Sequence, residues 1–176
     1  MDVKEAVKIR RAYRNIEPAV INDGTVHELI EAARLAPSCF NKQPWKFVFV
    51  RSEEKLNMMK QAYSAGNEWA HNGSAAVAVF SSKESDCVIG DREYYLFDTG
   101  IAVGQMLLRA TELGLVAHPI AGFSPQKVHE ILSIPEEFNI ITLLVIGKKA
   151  GAADDESERP ERLDFREICF NEKFNS

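Results

Sequence analysis

The chain has 176 residues, 45% of them hydrophobic and 27% charged, a balance that suits one globular domain. Its 26 acidic residues outnumber 21 Lys and Arg, and the positive charge is spread along the chain instead of forming the basic patch that nucleic-acid binding requires. No apolar run approaches the roughly 20 residues of a membrane span, and Met1–Arg11 is too charged for a signal core, so a cytoplasmic setting is expected.

Apolar Val3, Ala6, Val7 and Ile9 predict a short amphipathic helix over Asp2–Arg10, ending in the cluster Arg10, Arg11, Arg14. Pro18 and the Asn22-Asp23-Gly24 turn separate it from a helix that starts at the capping-box pair Thr25 and Glu28 and stops by Pro37. Lys46–Val50 reads as a buried strand. Ser52, followed by Glu53 and Glu54, opens a helix through about Tyr63. Ala75–Phe80 is the second strand. The longest helix runs from about Arg92 to Leu113 and ends at Gly114, a suitable position for a left-handed residue. Gly100 and Gly104, four apart on it, indicate that something packs closely there, either within the chain or from a second subunit. Ser124-Pro125 begins a helix that ends near Ser133, and Ile140–Ile146 is the third strand. Lys148–Pro160, with its acidic run Asp154-Asp155-Glu156, reads as an exposed loop, after which the apolar Leu163–Phe174 tail needs a docking place.

Familiar catalytic signatures are missing: there is no H-E-x-x-H, G-x-S-x-G or Walker loop. His27, His71, His118 and His129 stand on different elements without ligand spacing and read as surface or satisfied histidines. Cys39, Cys87 and Cys169 show no C-x-x-C spacing, so no metal site is expected and reduced thiols are the simplest account.

Four segments carry chemical potential. Arg10–Arg14 groups three guanidiniums, which suit bidentate contacts with phosphates or carbonyl-type acceptors, although a solvated basic turn has the same composition. Pro37–Trp45 holds Ser38, Asn41 and Gln43 between prolines, either as a stiff helix-to-strand loop or as amide donors for a heterocycle. Gly114–Phe123 contains Pro119 and Gly122, an extended turn whose backbone could face a flat ring. Arg159 and Arg162 form a late basic pair, a phosphate clamp or a surface loop.

Taken in this order, the segments resemble the nitroreductase family of flavoproteins, above all P-S-x-x-N-x-Q-P-W before a strand, and the likeness runs from Arg10 to Arg162. The resemblance implies an α+β fold of three layers, a central, mostly antiparallel sheet flanked by helices, in an intertwined homodimer with two FMN sites at the interface. It implies one domain over 1–176, with 163–176 a C-terminal extension reaching the partner. By the same resemblance Arg10, Arg11, Ala12 and Arg14 hold the FMN phosphate and pyrimidine side, Ala12 standing where a serine is usual. Pro37, Ser38, Cys39 and Asn41 reach the flavin from the neighbouring subunit, and Asn67 contacts its pyrimidine side. Pro119, Ile120, Ala121 and Gly122 lie against the isoalloxazine, and Arg162 closes on the phosphate, where Pro160 replaces a frequent lysine. No side chain is expected to be catalytic, since flavin N5 carries the hydride. The implied activity is NAD(P)H-dependent reduction of a nitroaromatic, quinone or enone in a ping-pong cycle. The alternative is a non-catalytic FMN-binding or redox-sensing module, which the short Ser81–Asp91 connection and the substitutions at Ala12 and Pro160 leave open.

Overall fold

Every residue of Ala75–Ser81 is buried, and alternate side chains serve two separate cores. The chain was analysed as a computed structural model, and the structure describes residues 1–151 and 160–174. In chain order the elements are α1 (Val3–Ile9), β1 (Ile16–Glu17), α2 (Asp23–Arg34), β2 (Lys46–Val50), α3 (Glu53–Met59) and β3 (Ala75–Ser81). There follow β4 (Val88–Ile89), β5 (Arg92–Glu93), α4 (Tyr94–Glu112), β6 (Val116–Ile120), α5 (Pro125–Leu132), β7 (Asn139–Lys149) and α6 (Phe165–Ile168).

The main sheet has the order β1-β7-β3-β2, with β6 also paired to β7, and every pairing is antiparallel. Strand side chains alternate between faces, so β3 splits its residues two ways. Ala76, Ala78 and Phe80 join Leu143 and Val145 of β7 under Met59 of α3 and Val128 of α5. Ala75, Val77 and Val79 join Leu144 and Ile146 under Leu29 and Ala33 of α2 and Ala102, Met106 and Ala110 of α4. Helices therefore cover both faces, which gives the expected three-layer α+β arrangement. The small alanines of β3 let both helical layers approach the sheet closely.

Several boundaries differ from the sequence reading. Asn22, not Thr25, caps α2: its side chain accepts from the Thr25 N–H at 2.8 Å, so Asp23 and Gly24 belong to the first helical turn. An Asn cap satisfies an otherwise orphaned N–H, so the apparent turn is the helix start. α3 ends at Met59, and α4 begins at Tyr94 because Arg92–Glu93 pairs with Val88–Ile89 in a small hairpin around Gly90 (φ 67°). Glu93 does not cap α4 with its side chain but forms an ion pair with Lys83 at 2.7 Å. β6 was read as a turn, yet Val116–Ile120 pairs with Leu143–Gly147. β7 extends through Lys149, into the segment read as loop, and the expected acidic run Asp154-Asp155-Glu156 and Arg159 lie outside the described residues. The reading of the cysteines as reduced thiols is also corrected: Cys39 and Cys87 form a disulfide across 48 positions, a pairing set by tertiary proximity.

Leu144 sits at the centre of β7 with no solvent exposure. Leu144→Ala should lower unfolding stability by about 2–5 kcal/mol through lost burial and a residual cavity. Urea denaturation followed by circular dichroism measures it, and an unchanged midpoint would contradict the assignment of this face as core.

Candidate active site

The arginine cluster leaves α1 at its C-terminal end, where the Arg10 N–H closes the last turn on the Ala6 carbonyl at 2.9 Å. Arg10 and Arg11 are half-buried and Ala12 and Arg14 exposed. Arg11 Nη1 is buried without an acceptor among the described residues, an arrangement that costs free energy unless something meets it. Tyr13 turns its ring under the Lys149 ammonium, 5.0 Å from the ring centroid.

A histidine joins this cluster to the Pro119–Gly122 segment. His118 Nδ1 lies 3.0 Å from the Tyr13 carbonyl. Because a carbonyl can only accept, Nδ1 carries the proton and donates. The imidazole also stacks obliquely on Trp69, with centroids 4.4 Å apart. Trp69 Nε1 donates to Asn67 Oδ1 at 3.2 Å, and Asn67 Nδ2 donates to the Gly122 carbonyl at 2.9 Å. The Ser64 N–H donates to that same carbonyl at 3.0 Å, and Tyr63 bridges to Phe123. One continuous set of contacts thus links the Tyr13 carbonyl of the arginine cluster to His118, Trp69, Asn67 and Gly122. Gly122 lets Asn67 approach closely here, since a Cβ would stand 2.5 Å from Asn67 Nδ2. Pro119 fits β6 because its exposed position tolerates the missing N–H.

The Pro37–Trp45 loop is anchored elsewhere. Its Cys39 N–H donates to Asp98 Oδ2 at 2.6 Å, on the N-terminal half of α4. Asp98 is buried, 3% exposed, inside an otherwise apolar helical stretch. The loop closes on itself through Ser38 Oγ, which accepts from the Gln43 N–H at 2.9 Å, and through the Asn41 N–H to the Ser38 carbonyl at 3.0 Å. Pro44 ends it, its carbonyl accepting from buried Ser81 Oγ at 2.9 Å. Phe40, Asn41 and Gln43 all adopt positive φ (48°, 57° and 51°). Each costs on the order of 1 kcal/mol or more, and such conformations persist only where surroundings impose them. The loop therefore presents Asn41 and Phe40 outward on a braced turn.

Arg162 is exposed and lies in a cleft made with its own neighbours Glu161, Leu163, Asp164 and Glu167. The apolar tail that was expected to dock is exposed throughout 160–174. Leu163, Phe165, Ile168 and Phe174 are each at least 65% exposed.

Sequence reading missed Asp98, Cys87, Trp69 and the organising part of His118. A lone acid between Phe97 and Thr99 was the available signal for Asp98, because buried carboxylates are retained only where a donor meets them. Of the two readings open for His118, surface or satisfied, the structure shows the second, and the partner that satisfies it, 105 residues away, has no local signature.

Comparison with known proteins covers most of the chain. The family model described as "Nitroreductase family" matches residues 7–86 and 67–148. The oxygen-insensitive NADPH nitroreductase of Helicobacter pylori strain 26695 is 30% identical over 172 residues, spanning 76% of this chain and 80% of that protein. The crystal structure of a nitroreductase family protein from Clostridium novyi NT superposes with a TM-score of 0.79 at 28% identity, covering 85% of this chain and 86% of the other. A crystal structure described as an oxidoreductase containing FMN gives a TM-score of 0.81 at 26% identity, covering 99% and 94% of the two chains.

Burial holds the His118 imidazole below the usual histidine value of 6.5; its bond to the Tyr13 carbonyl opposes this, and Arg14 and Arg10 add to it. The folded state therefore binds its proton less readily than the unfolded chain. This contribution to stability is fully present above 6.5 and is lost as pH falls from there through the folded value. Wild type should lose stability between about pH 7 and pH 5 more steeply than His118→Gln. Parallel pH profiles for the two proteins in urea titrations would remove His118 from this role.

Proposed function

The chain belongs to the nitroreductase family, and we propose that it is an FMN-dependent oxidoreductase that takes electrons from NADH or NADPH and works as a homodimer. The observation that carries this reading is the contact chain from Tyr13 through His118, Trp69 and Asn67 to Gly122, which unites the arginine cluster with the Pro119–Gly122 segment.

The residues fit an anionic cofactor on one ground: Arg11 Nη1 is a buried donor without an acceptor among the described residues. Arg10, Arg11 and Arg14, with the Ala12 backbone, would hold the phosphate and the polar edge of the ring. Asn67 would meet its pyrimidine side, with Pro119, Ile120, Ala121 and Gly122 along its face. Bound FMN supplies hydride acceptance and donation at N5. The chain's part is orientation and charge: fixed guanidiniums near the electron-rich edge favour negative charge there without reorganising. The pyridine nucleotide would enter and leave first, and a nitroaromatic, quinone or enone would then occupy the same pocket.

A second copy would complete the site. Pro37, Ser38, Cys39 and Asn41 are mounted on α4 and the β4–β5 hairpin, and in this reading they serve the partner's cofactor. Gly100 and Gly104 have open space where a Cβ would stand, with no atom of the described residues within 4 Å of it. Exposed Leu96 and Phe97 flank it. The whole chain is read as one domain whose extension from Leu163 crosses to the partner. There its apolar side chains are covered and Arg162 reaches a phosphate.

Purified protein loaded with FMN should lose its oxidised flavin absorbance under anaerobic NADH or NADPH and regain it on adding a quinone. Spectra unchanged by both nucleotides would refute nucleotide-driven turnover. Arg10→Ala and Arg14→Ala should each weaken FMN binding by roughly 10- to 150-fold, the loss of a charge-assisted contact of about 1.5–3 kcal/mol. Light scattering should return twice the 19.7 kDa chain mass; a monomer that retains FMN would rule out the cross-subunit contacts of Ser38 and Asn41.

A further inference from the structure

The Cys39–Cys87 disulfide ties the braced loop to the β4–β5 hairpin, and both cysteines are half-buried. An open, mostly apolar recess of about 440 Å³ reaches Cys39; Ser38, Phe40, Ile89, Tyr94 and Phe97 are among its walls, and Cys87 is not. Two carboxyls stand by the bridge, and one of them, Asp98, also lines the recess. Asp98 holds the Cys39 N–H. Asp86 accepts the Cys87 N–H on Oδ1 at 2.8 Å, while its Oδ2 is buried without a partner among the described residues. Burial raises the Asp86 carboxyl above the usual aspartate range; the Cys87 N–H opposes this, and the facing Asp98 carboxyl adds to it. An Asp86 carboxyl oxygen lies within 4.8 Å of both sulfurs.

We propose that Cys39–Cys87 is an exchangeable cystine, opened by small-molecule thiols, and that opening it releases the Pro37–Trp45 loop. A thiolate attacks Cys39 Sγ and forms a mixed disulfide; the Cys39–Cys87 bond breaks and its electron pair goes to Cys87 Sγ, which is protonated from solvent. A second thiolate attacks the external sulfur of the mixed disulfide, and Cys39 leaves and is protonated from solvent. In sum, one cystine and two small thiols give two protein thiols and one small disulfide. An oxidised thiol pool drives the reverse. The loop responds because three non-glycine residues, Phe40, Asn41 and Gln43, are held at positive φ beside the bridge. With the bridge cut, the hydrogen bonds to Asp98, within the loop and from Ser81 to the Pro44 carbonyl are left to oppose their relaxation. The consequence for flavin contacts by Ser38 and Asn41 rests on the function proposed above; the exchange itself does not.

The test equilibrates the full-length protein in reduced and oxidised glutathione at graded ratios, quenches with acid, alkylates, and maps peptides without reduction. A Cys39–Cys87 crosslinked peptide at the oxidising end, replaced in one transition by two alkylated thiols at the reducing end, is the expected result. Cys169→Ser should keep that transition. Amide hydrogen exchange over residues 38–43 should be at least about tenfold faster in the reduced protein, and Cys87→Ser should match the reduced rate. Thiols alkylated at every ratio overturn the proposal, as does a purified protein carrying zinc on these thiolates with no crosslink. A crosslink that yields only after unfolding overturns it too. Equal loop exchange at the two ends overturns the release of the loop. FMN titration at both ends separates the two readings: no binding at either end defeats the proposed function and leaves the thiol count and loop exchange to decide this one.

Discussion

Antiparallel pairing of β3 with β7, dry on both faces, is the constraint on which the rest of the molecule is mounted. Backbone N–H and C=O groups taken out of water must be paired, and these two strands pair from Ala75 with Ile146 to Ser81 with Asn139. Their alternation then dictates two cores, and each core fixes its own helix pair. β7 is longer than β3 needs. Its surplus length accepts β6 over Val116–Ile120 and β1 over Ile16–Glu17. The segment that leads into Gly122 and the chain that leaves the arginine cluster are therefore both positioned by one strand. The contact between His118 and the Tyr13 carbonyl follows from that shared template, and it needs no flexible element to form.

The same template explains why the candidate site is divided. Elements attached to β6 and to the turn before β3 carry Asn67, Pro119–Gly122 and the arginines. The Pro37–Trp45 loop precedes β2, which pairs with the opposite edge of β3. The loop's bracing comes from α4 through Asp98 and from the hairpin through Cys87. A loop of strained, outward-facing residues beside an uncovered face of α4 is a costly object in an isolated chain. It becomes economical only when another surface meets it, which is the physical case for reading it as a contribution to a second subunit.

Local physics made much of this legible in the sequence, and distance hid the remainder. Lys46–Val50 was readable to the residue because an aromatic and β-branched run lies between Pro44-Trp45 and the Ser52 cap. The two glycines on α4 suggested a packing face, but open space stands where a Cβ would at both. β6 was hidden because a five-residue strand containing Pro119 is identified by its partner, not by its own pattern. The start of α2 was misplaced by three residues because Asn-Asp-Gly serves equally as a turn and as a cap with its first turn. The disulfide and the His118 contact join residues 48 and 105 positions apart, and nothing in the intervening sequence encodes such a distance. For the candidate site, the four segments were visible as segments. Which of them meet within one chain was not.

Asp98 shows how closely the loop and the core are bound together. A carboxylate buried within the apolar stretch of α4 would be strongly unfavourable without a donor. The Cys39 N–H is that donor, at 2.6 Å. The helix thus depends on the loop to satisfy its acid, and the loop depends on the helix to hold Phe40, Asn41 and Gln43 in left-handed conformations. Neither arrangement is stable by itself, and an apolar residue at 98 would relieve the helix while freeing the loop. Retaining an acid there makes sense if the position of the loop matters more than the stability of the helix, and loop position is what a ligand contact at Ser38 and Asn41 would require.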